Sequence, residues 1–219
     1  MKVVIADPHT LFRSLLANWL ASEHGTRLVG QVSSGELVIE TVATQKADLL
    51  IMDPMMPVIS GFALARQLME DIPSLRLIAV YQSNKPFFVD RLQRTGFHGC
   101  VCKRDNTLAT LRQAIESVMD GNAYFCAETC KIQNLLYNDP NSFARLLSER
   151  EQEILSMIGE GMDNDEIGSK LSLSPATVQT HRRNLFKKLN IHDTPALMRY
   201  AFEQGFCMAG CDGLSQLVQ

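Results

Sequence analysis

The sequence predicts an α/β domain built on a doubly wound, five-stranded parallel sheet, followed by an all-α domain of four helices that contains a helix-turn-helix. Three observations carry this. Over the first 120 residues, short apolar runs alternate with stretches of helical apolar spacing, the pattern of a parallel sheet covered on both faces. From Ser148 onward the pattern is helical only. Between them, Gly121–Leu147 holds the turn-rich Asn138-Asp139-Pro140-Asn141 and a modest helical pattern at Ile132, Leu135 and Leu136, which reads as a connection. The expected divisions are 1–120 for the first domain, 121–143 for a linker with a partial helix, 144–208 for the helical domain and 209–219 for a tail.

In chain order, Lys2–Ala6 is apolar enough for a buried strand, and Leu11, Phe12, Leu15, Leu16, Trp19 and Leu20 follow at helical spacing. Arg27–Val32 is a second strand, and a helix over Glu36–Gln45 begins near Ser34. Asp48–Met52 is a third strand, then comes a proline-containing loop and a helix over Phe62–Met69. Leu75–Val80 and Phe87–Arg94 form the next strand–helix pair. His98–Cys102 is the fifth strand, and Leu108–Met119 closes the domain with Leu108, Leu111, Ile115 and Met119 on one face.

In the second domain, Ser148-x-x-Glu151 is a capping box that opens a helix with Ile154, Leu155 and Ile158 inward, ended by Gly159 and Gly161. Asp163-x-x-Glu166 opens another, with Ile167 and Leu171 inward. Ser174 and Pro175 make an N-cap and first-turn pair for a third helix to about Leu189. Thr194 before Pro195 starts a fourth, through Leu197, Ala201 and Phe202. Only Ser172–Ser174 separates the second helix from the third, the spacing of a helix-turn-helix.

At 3.6 residues per turn, Val178, Leu185 and Leu189 share one side of the third helix, with His181 and Phe186 flanking. A core histidine with a polar partner is the favoured reading of His181. Gln179, Thr180, Arg183, Asn184 and Lys187 point away, and Arg182 and Lys188 lie at the borders. The net charge is −3, yet Pro175–Asn190 carries four basic residues and no acid, while Met1–Asp120 is balanced. A neutral body with one basic helix is a local footprint for double-stranded DNA. The competing explanation, a solvated basic face, accounts for the charges but not for the tight turn and four-helix frame.

Hydrophobic content of 46% and charged content of 21% belong to a globular chain. No apolar run approaches the ~20 residues that span a bilayer, and Met1–Asp7 reads as a strand rather than a leader. The expectation is a cytoplasmic protein with no membrane partner. The six cysteines lack C-x-x-C spacing, so ordinary free thiols are expected.

The stretch LSEREQEILSMIGEGMDNDEIGSKLSLSPATVQTHRRNLFKKLNI, from Leu147 to Ile191, closely resembles the LuxR-type helix-turn-helix. The resemblance implies that Gln179, Thr180 and Arg183 read bases, while Thr177, Asn184, Lys187 and Lys188 fix the DNA backbone. Arg182 joins the expected contact set. The family usually has Lys where this chain has Gln179, and Lys or Arg where it has Asp165.

In the first domain, Asp7 ends the first strand, Asp53 the third and Lys103 the fifth, and such strand ends can converge on one pocket. Two carboxylates and a lysine suit Mg²⁺ and a phosphoryl group. Residues 1–120 resemble the receiver domain, flavodoxin-like in fold, of NarL/FixJ-type response regulators. The resemblance implies Asp53 as phosphoacceptor, Lys103 as the phosphate-binding lysine and Asp7 as part of the metal site. Receivers carry a second acid where this chain has Pro8, a Thr or Ser where it has Tyr81, and a switch aromatic where it has Cys100.

The expected function is that of a homodimeric, sequence-specific transcription regulator that is not an enzyme and requires no cofactor. Two readings of its first domain compete. In one, a sensor histidine kinase phosphorylates Asp53 with a weakly held Mg²⁺. In the other, which the departures favour, the receiver works without phosphorylation. An aspartyl-phosphate hydrolase using Asp53 is a remote third, because Met55 stands where such enzymes want a second Asp.

Overall fold

The structure, a computed structural model, describes residues 1–104 and 106–207. These form two compact units: Met1–Ser83 with Arg91–Lys131, and Asn84–Asp90 with the chain from Ile132 onward.

The first unit carries β1 (Lys2–Ala6), α1 (Thr10–Ser22), β2 (Arg27–Val32), α2 (Glu36–Gln45), β3 (Leu49–Met52), α3 (Gly61–Asp71) and β4 (Arg76–Tyr81). Helix α4 (Pro86–Thr95) follows, then β5 (Gly99–Cys102) and α5 (Leu108–Met119). The strands are parallel in the order β2-β1-β3-β4-β5, with one addition. Tyr124–Phe125 forms a sixth strand, β6, paired with β5 through Tyr124 N–H to His98 O and Cys126 N–H to Cys100 O. The expected count of five is corrected to six. Two residues are too few to show a period, and this strand is defined by its partner rather than by its own pattern.

One face of the sheet presents Val3, Ile5, Leu49, Ile51, Ile78, Val80 and Val101, which pack with Leu16 and Leu20 of α1 and Leu111, Ala114 and Ile115 of α5. The alternate residues Val4, Leu50, Met52, Leu77 and Ala79 are equally buried. Both faces are therefore covered, as the continuous apolar runs require. Leu111 and Ile115 point inward as expected, whereas Leu108 and Met119 at the two ends of α5 are substantially exposed.

The stretch read as a linker is mostly regular structure: α6 (Ala127–Asn138) and α7 (Phe143–Leu146) follow β6. The helical domain then comprises α8 (Glu149–Gly159), α9 (Asn164–Leu171), α10 (Pro175–Leu189) and α11 (Thr194–Gln204). Both capping boxes form: Ser148 with Glu151, and Asp163 with Glu166. The cap of α11 is Asp193 rather than Thr194, its carboxylate accepting from Ala196 N–H at 2.7 Å. The α9–α10 turn is compact because Ser172 adopts the left-handed conformation (φ 54°) and Leu173 N–H returns to Gly168 O at 2.9 Å. Gly168 has to be glycine: a Cβ there would stand 2.7 Å from Leu173 O. Among the described residues no helix is long and apolar enough to cross a membrane. The expected tail, 209–219, lies outside the described residues.

Candidate functional site

At the carboxyl edge of the sheet, backbone ladders fix three side chains beside one another. Asp7 N–H donates to Val32 O, Asp53 N–H to Ala6 O and Lys103 N–H to Tyr81 O, so each residue extends a strand by one position. Lys103 Nζ then donates to Asp7 Oδ2 at 2.5 Å and Asp53 Oδ2 at 2.6 Å. The ammonium also lies over the Phe12 ring, 4.4 Å from its centroid. Both carboxylates are almost fully buried, 2% exposed at Asp7 and 3% at Asp53. Their other oxygens accept backbone donors, His9 N–H on Asp7 Oδ1 and Met55 N–H on Asp53 Oδ1, each at 2.8 Å. The convergence of Asp7, Asp53 and Lys103 expected from their strand-end positions is thus realised.

Tyr81 does not join them through its hydroxyl. The side chain is fully buried, and its OH lies 2.7 Å from Thr129 Oγ1 on α6. Thr129 Oγ1 is in turn 3.2 Å from Cys126 Sγ, which accepts from Cys102 N–H. Burial drives the Tyr81 pKa far up, with the Thr129 hydrogen bond opposing, so the phenol stays protonated. Tyr81 stands at the strand-end position where receivers carry Thr or Ser, but its hydroxyl is engaged by Thr129 rather than by the carboxylate edge.

His9 was not among the expected site residues. Its Nδ1 is 3.1 Å from Asp7 Oδ1, and one ligand atom each from Asp7, His9 and Asp53 lies within 4.8 Å of the others. The signal in the sequence was its position two residues after Asp7, where a loop can turn back on the acid. Magnesium takes an oxygen shell. Here two carboxylates share one lysine, Pro8 has no side-chain ligand atom, and the third group is an imidazole. The donor set fits magnesium poorly.

The second site is the outer face of α10. Ser174 caps the helix through Thr177 N–H, and Val178 and Leu185 are buried against the domain. Thr177, Gln179, Thr180, Arg183, Asn184 and Lys187 are exposed together, as the helical angles require. Gln179 Oε1 is held at 2.9 Å by Asn164 Nδ2 of α9, which fixes the amide before any ligand arrives. Two border residues also bond within the domain. Arg182 is half-buried and donates to Met162 O at 2.7 Å, and burial lowers its pKa against the opposing charge of Asp163. Lys188 Nζ bonds Glu151 Oε2 at 2.7 Å. Both bonds tie α10 to its own domain, with Arg182 half-buried and Lys188 still exposed. His181 faces inward as expected, but its buried Nδ1 has no hydrogen-bond partner among the described residues.

A receiver-class α/β domain with converging strand-end carboxylates, joined to a helix-turn-helix domain, is what these two sites define. Residues 3–116 match the family model described as response regulator receiver domain, and residues 145–201 match that of bacterial regulatory proteins, luxR family. Response regulator GacA of Pseudomonas syringae pv. syringae is 34% identical over 208 residues, covering 94% of this chain and 97% of the relative. Response regulator UvrY of Escherichia coli (strain K12) is 30% identical over 213 residues, covering 95% and 97%. The structure of RcsB from Salmonella enterica serovar Typhimurium bound to promoter P1flhDC aligns with a TM-score of 0.66 at 22% identity, covering 94% of this chain and 98% of that one. The chain belongs to the response regulators of the NarL/FixJ type, DNA-binding regulators of two-component systems rather than enzymes.

Proposed function

We propose that the protein acts as a homodimer that reads double-stranded DNA with the outer face of α10, and that its receiver switches without depending on a phosphoryl group at Asp53. In this reading Gln179, Thr180 and Arg183 contact bases, while Thr177, Asn184 and Lys187 hold the phosphate backbone. Arginine suits guanine, glutamine suits adenine, and the smaller polar groups and lysine suit phosphates. RcsB is described as dimers bound to DNA, which supports the same assembly for this chain. A DNA-binding regulator of this kind works in the cytoplasm, where its operator is.

The single observation that carries the DNA reading is the exposure of those six side chains on a helix whose other face is fully engaged. Arg183→Ala costs about 1–3 kcal/mol of affinity and relaxes base preference at one position. Lys187→Ala weakens all sequences alike. The test is fluorescence anisotropy on duplexes selected from a random library; unchanged binding in both variants would remove α10 from the interface.

The switch reading rests on Tyr81 and Pro8. Phosphoryl transfer needs the attacking carboxylate, a metal that bridges it to the donor, and donors for the developing charge. Asp53 and Lys103 supply the first and part of the last. Pro8 removes a metal ligand, and the Tyr81 hydroxyl is engaged by Thr129. The intact Asp53–Lys103 contact favours the alternative, activation at Asp53 by a sensor histidine kinase. Labelling with a small phosphoryl donor and Mg²⁺ separates the two: poor labelling fits the first, stoichiometric labelling lost in Asp53→Asn the second.

A further inference from the structure

We propose that Asn164 is a positioning residue for base reading: it holds the Gln179 carbonyl, so that only the NH₂ of that amide is presented to DNA, and guanine is selected over adenine. This role rests on α10 as the DNA-reading helix. Asn164 opens α9, and Gln179 lies in the second turn of α10. Asn164 Nδ2 donates to Gln179 Oε1 at 2.9 Å. Gln179 is exposed and Asn164 half-buried.

Both ends of this contact stand on fixed backbone. Asp163 Oδ1 accepts from Asp165 N–H and Glu166 N–H, each at 2.9 Å, and Glu166 Oε2 accepts from Asp163 N–H at 2.8 Å. This capping box sets the first turn of α9 and with it the direction of Asn164. Arg182 reaches from α10 to Met162 O at 2.7 Å, immediately before that cap. Held in this way, the Gln179 amide loses part of its rotamer freedom before DNA arrives, a cost otherwise incurred on binding. The neighbouring Thr180 hydroxyl donates to Ala176 O at 3.0 Å, which leaves its oxygen an acceptor. Two adjacent reading residues are therefore set in opposite hydrogen-bonding senses.

Hydrogen-bonding sense decides which base. A free glutamine amide reads adenine because its carbonyl accepts from the N6 amino group while its NH₂ donates to N7. With the carbonyl turned to α9, that pair cannot form. The NH₂ then meets two acceptors on guanine, N7 and O6. On adenine it meets N7 alone, beside an amino group that offers it only more donors. Thymine presents one acceptor, O4, and cytosine only its N4 amino donor. The bias comes from how the amide is held rather than from glutamine itself, so a change at Asn164 changes base choice without touching the reading residue.

The test uses the full chain and duplexes selected from a random library. The position read by Gln179 is the one whose base preference Gln179→Ala erases. Each of the four bases is placed there, and dissociation constants are measured for the unaltered protein, Asn164→Ala and Asn164→Asp. The unaltered protein should bind guanine about fivefold or more tightly than adenine. Asn164→Ala frees the amide and should bring that ratio within about twofold. Asn164→Asp puts an acceptor where the donor was, so the amide turns round, its carbonyl faces the groove, and adenine should bind more tightly than guanine. The added negative charge weakens all four duplexes alike, so the ratio isolates the positioning. Adenine preferred by the unaltered protein, a ratio that Asn164→Ala leaves unchanged, or guanine still preferred in Asn164→Asp overturns the role. If Gln179→Ala erases no preference, the base-reading assignment of Gln179 fails first, and the role of Asn164 falls with it.

Discussion

Lys103 and Tyr81 are joined through their backbones at the edge of the sheet, yet their side chains serve different ends. Lys103 closes on Asp7 and Asp53, and Tyr81 runs through the interior to Thr129. Which residues end strands was legible in the sequence, because apolar runs that stop at an acid or a lysine mark the edge. The direction of Tyr81 was not, since Thr129 lies 48 residues away on a helix whose packing no local pattern encodes. His9 escaped for a different reason: it is exposed, and its role depends on a loop that folds back on Asp7. Tyr81→Phe removes one buried hydrogen bond while Thr129 keeps Cys126 Sγ as a partner. It should cost about 0.5–1.5 kcal/mol, read as a lower urea midpoint with an unchanged slope.

Among the elements, the helices of the DNA-binding domain were the most legible, because their caps are written as adjacent residue pairs. Ser148 with Glu151, Asp163 with Glu166, and Ser174 before Pro175 each mark a helix start that the structure contains. Strand β6 was hidden because it has no period of its own, and the Lys188–Glu151 bond was hidden because angle alone does not reveal Glu151 within reach. Glu151 does two jobs, completing the cap of α8 and anchoring α10 through Lys188. Burial pushes its pKa up, but the bonds from Lys188 and Ser148 prevail and the net shift is downward. A carboxyl with a depressed folded pKa contributes stability above its unfolded value and loses it as pH falls through the folded one. Unfolding free energy should therefore decline below about pH 5, and Glu151→Gln should flatten that decline in urea titrations. Lys188→Ala should cost about 1 kcal/mol, discounted because the lysine side chain is 40% exposed. Ser174→Ala should cost about 0.5–2 kcal/mol by removing the cap of the DNA-reading helix.

For the whole molecule, the two pieces of chemistry meet in how operator binding responds to the receiver. Arg182 donates to Met162 O, and each α10 exposes Arg183, Lys187 and Lys188, the last of them bonded to Glu151. With Arg183 on a base and Lys187 as the phosphate-binding cation of each α10, a dimer brings about two charges to phosphates, and log K should fall against log salt with a slope near ~−2. A monomer would give about half that. The most direct measurement is the operator dissociation constant of the full chain, with and without a phosphoryl donor and Mg²⁺, beside that of Asp53→Asn. The expected result is three values within threefold of one another, because the pocket lacks a magnesium ligand at Pro8 and the Tyr81 hydroxyl is held by Thr129. A tenfold or greater gain in affinity on adding the donor, abolished by Asp53→Asn, would contradict it.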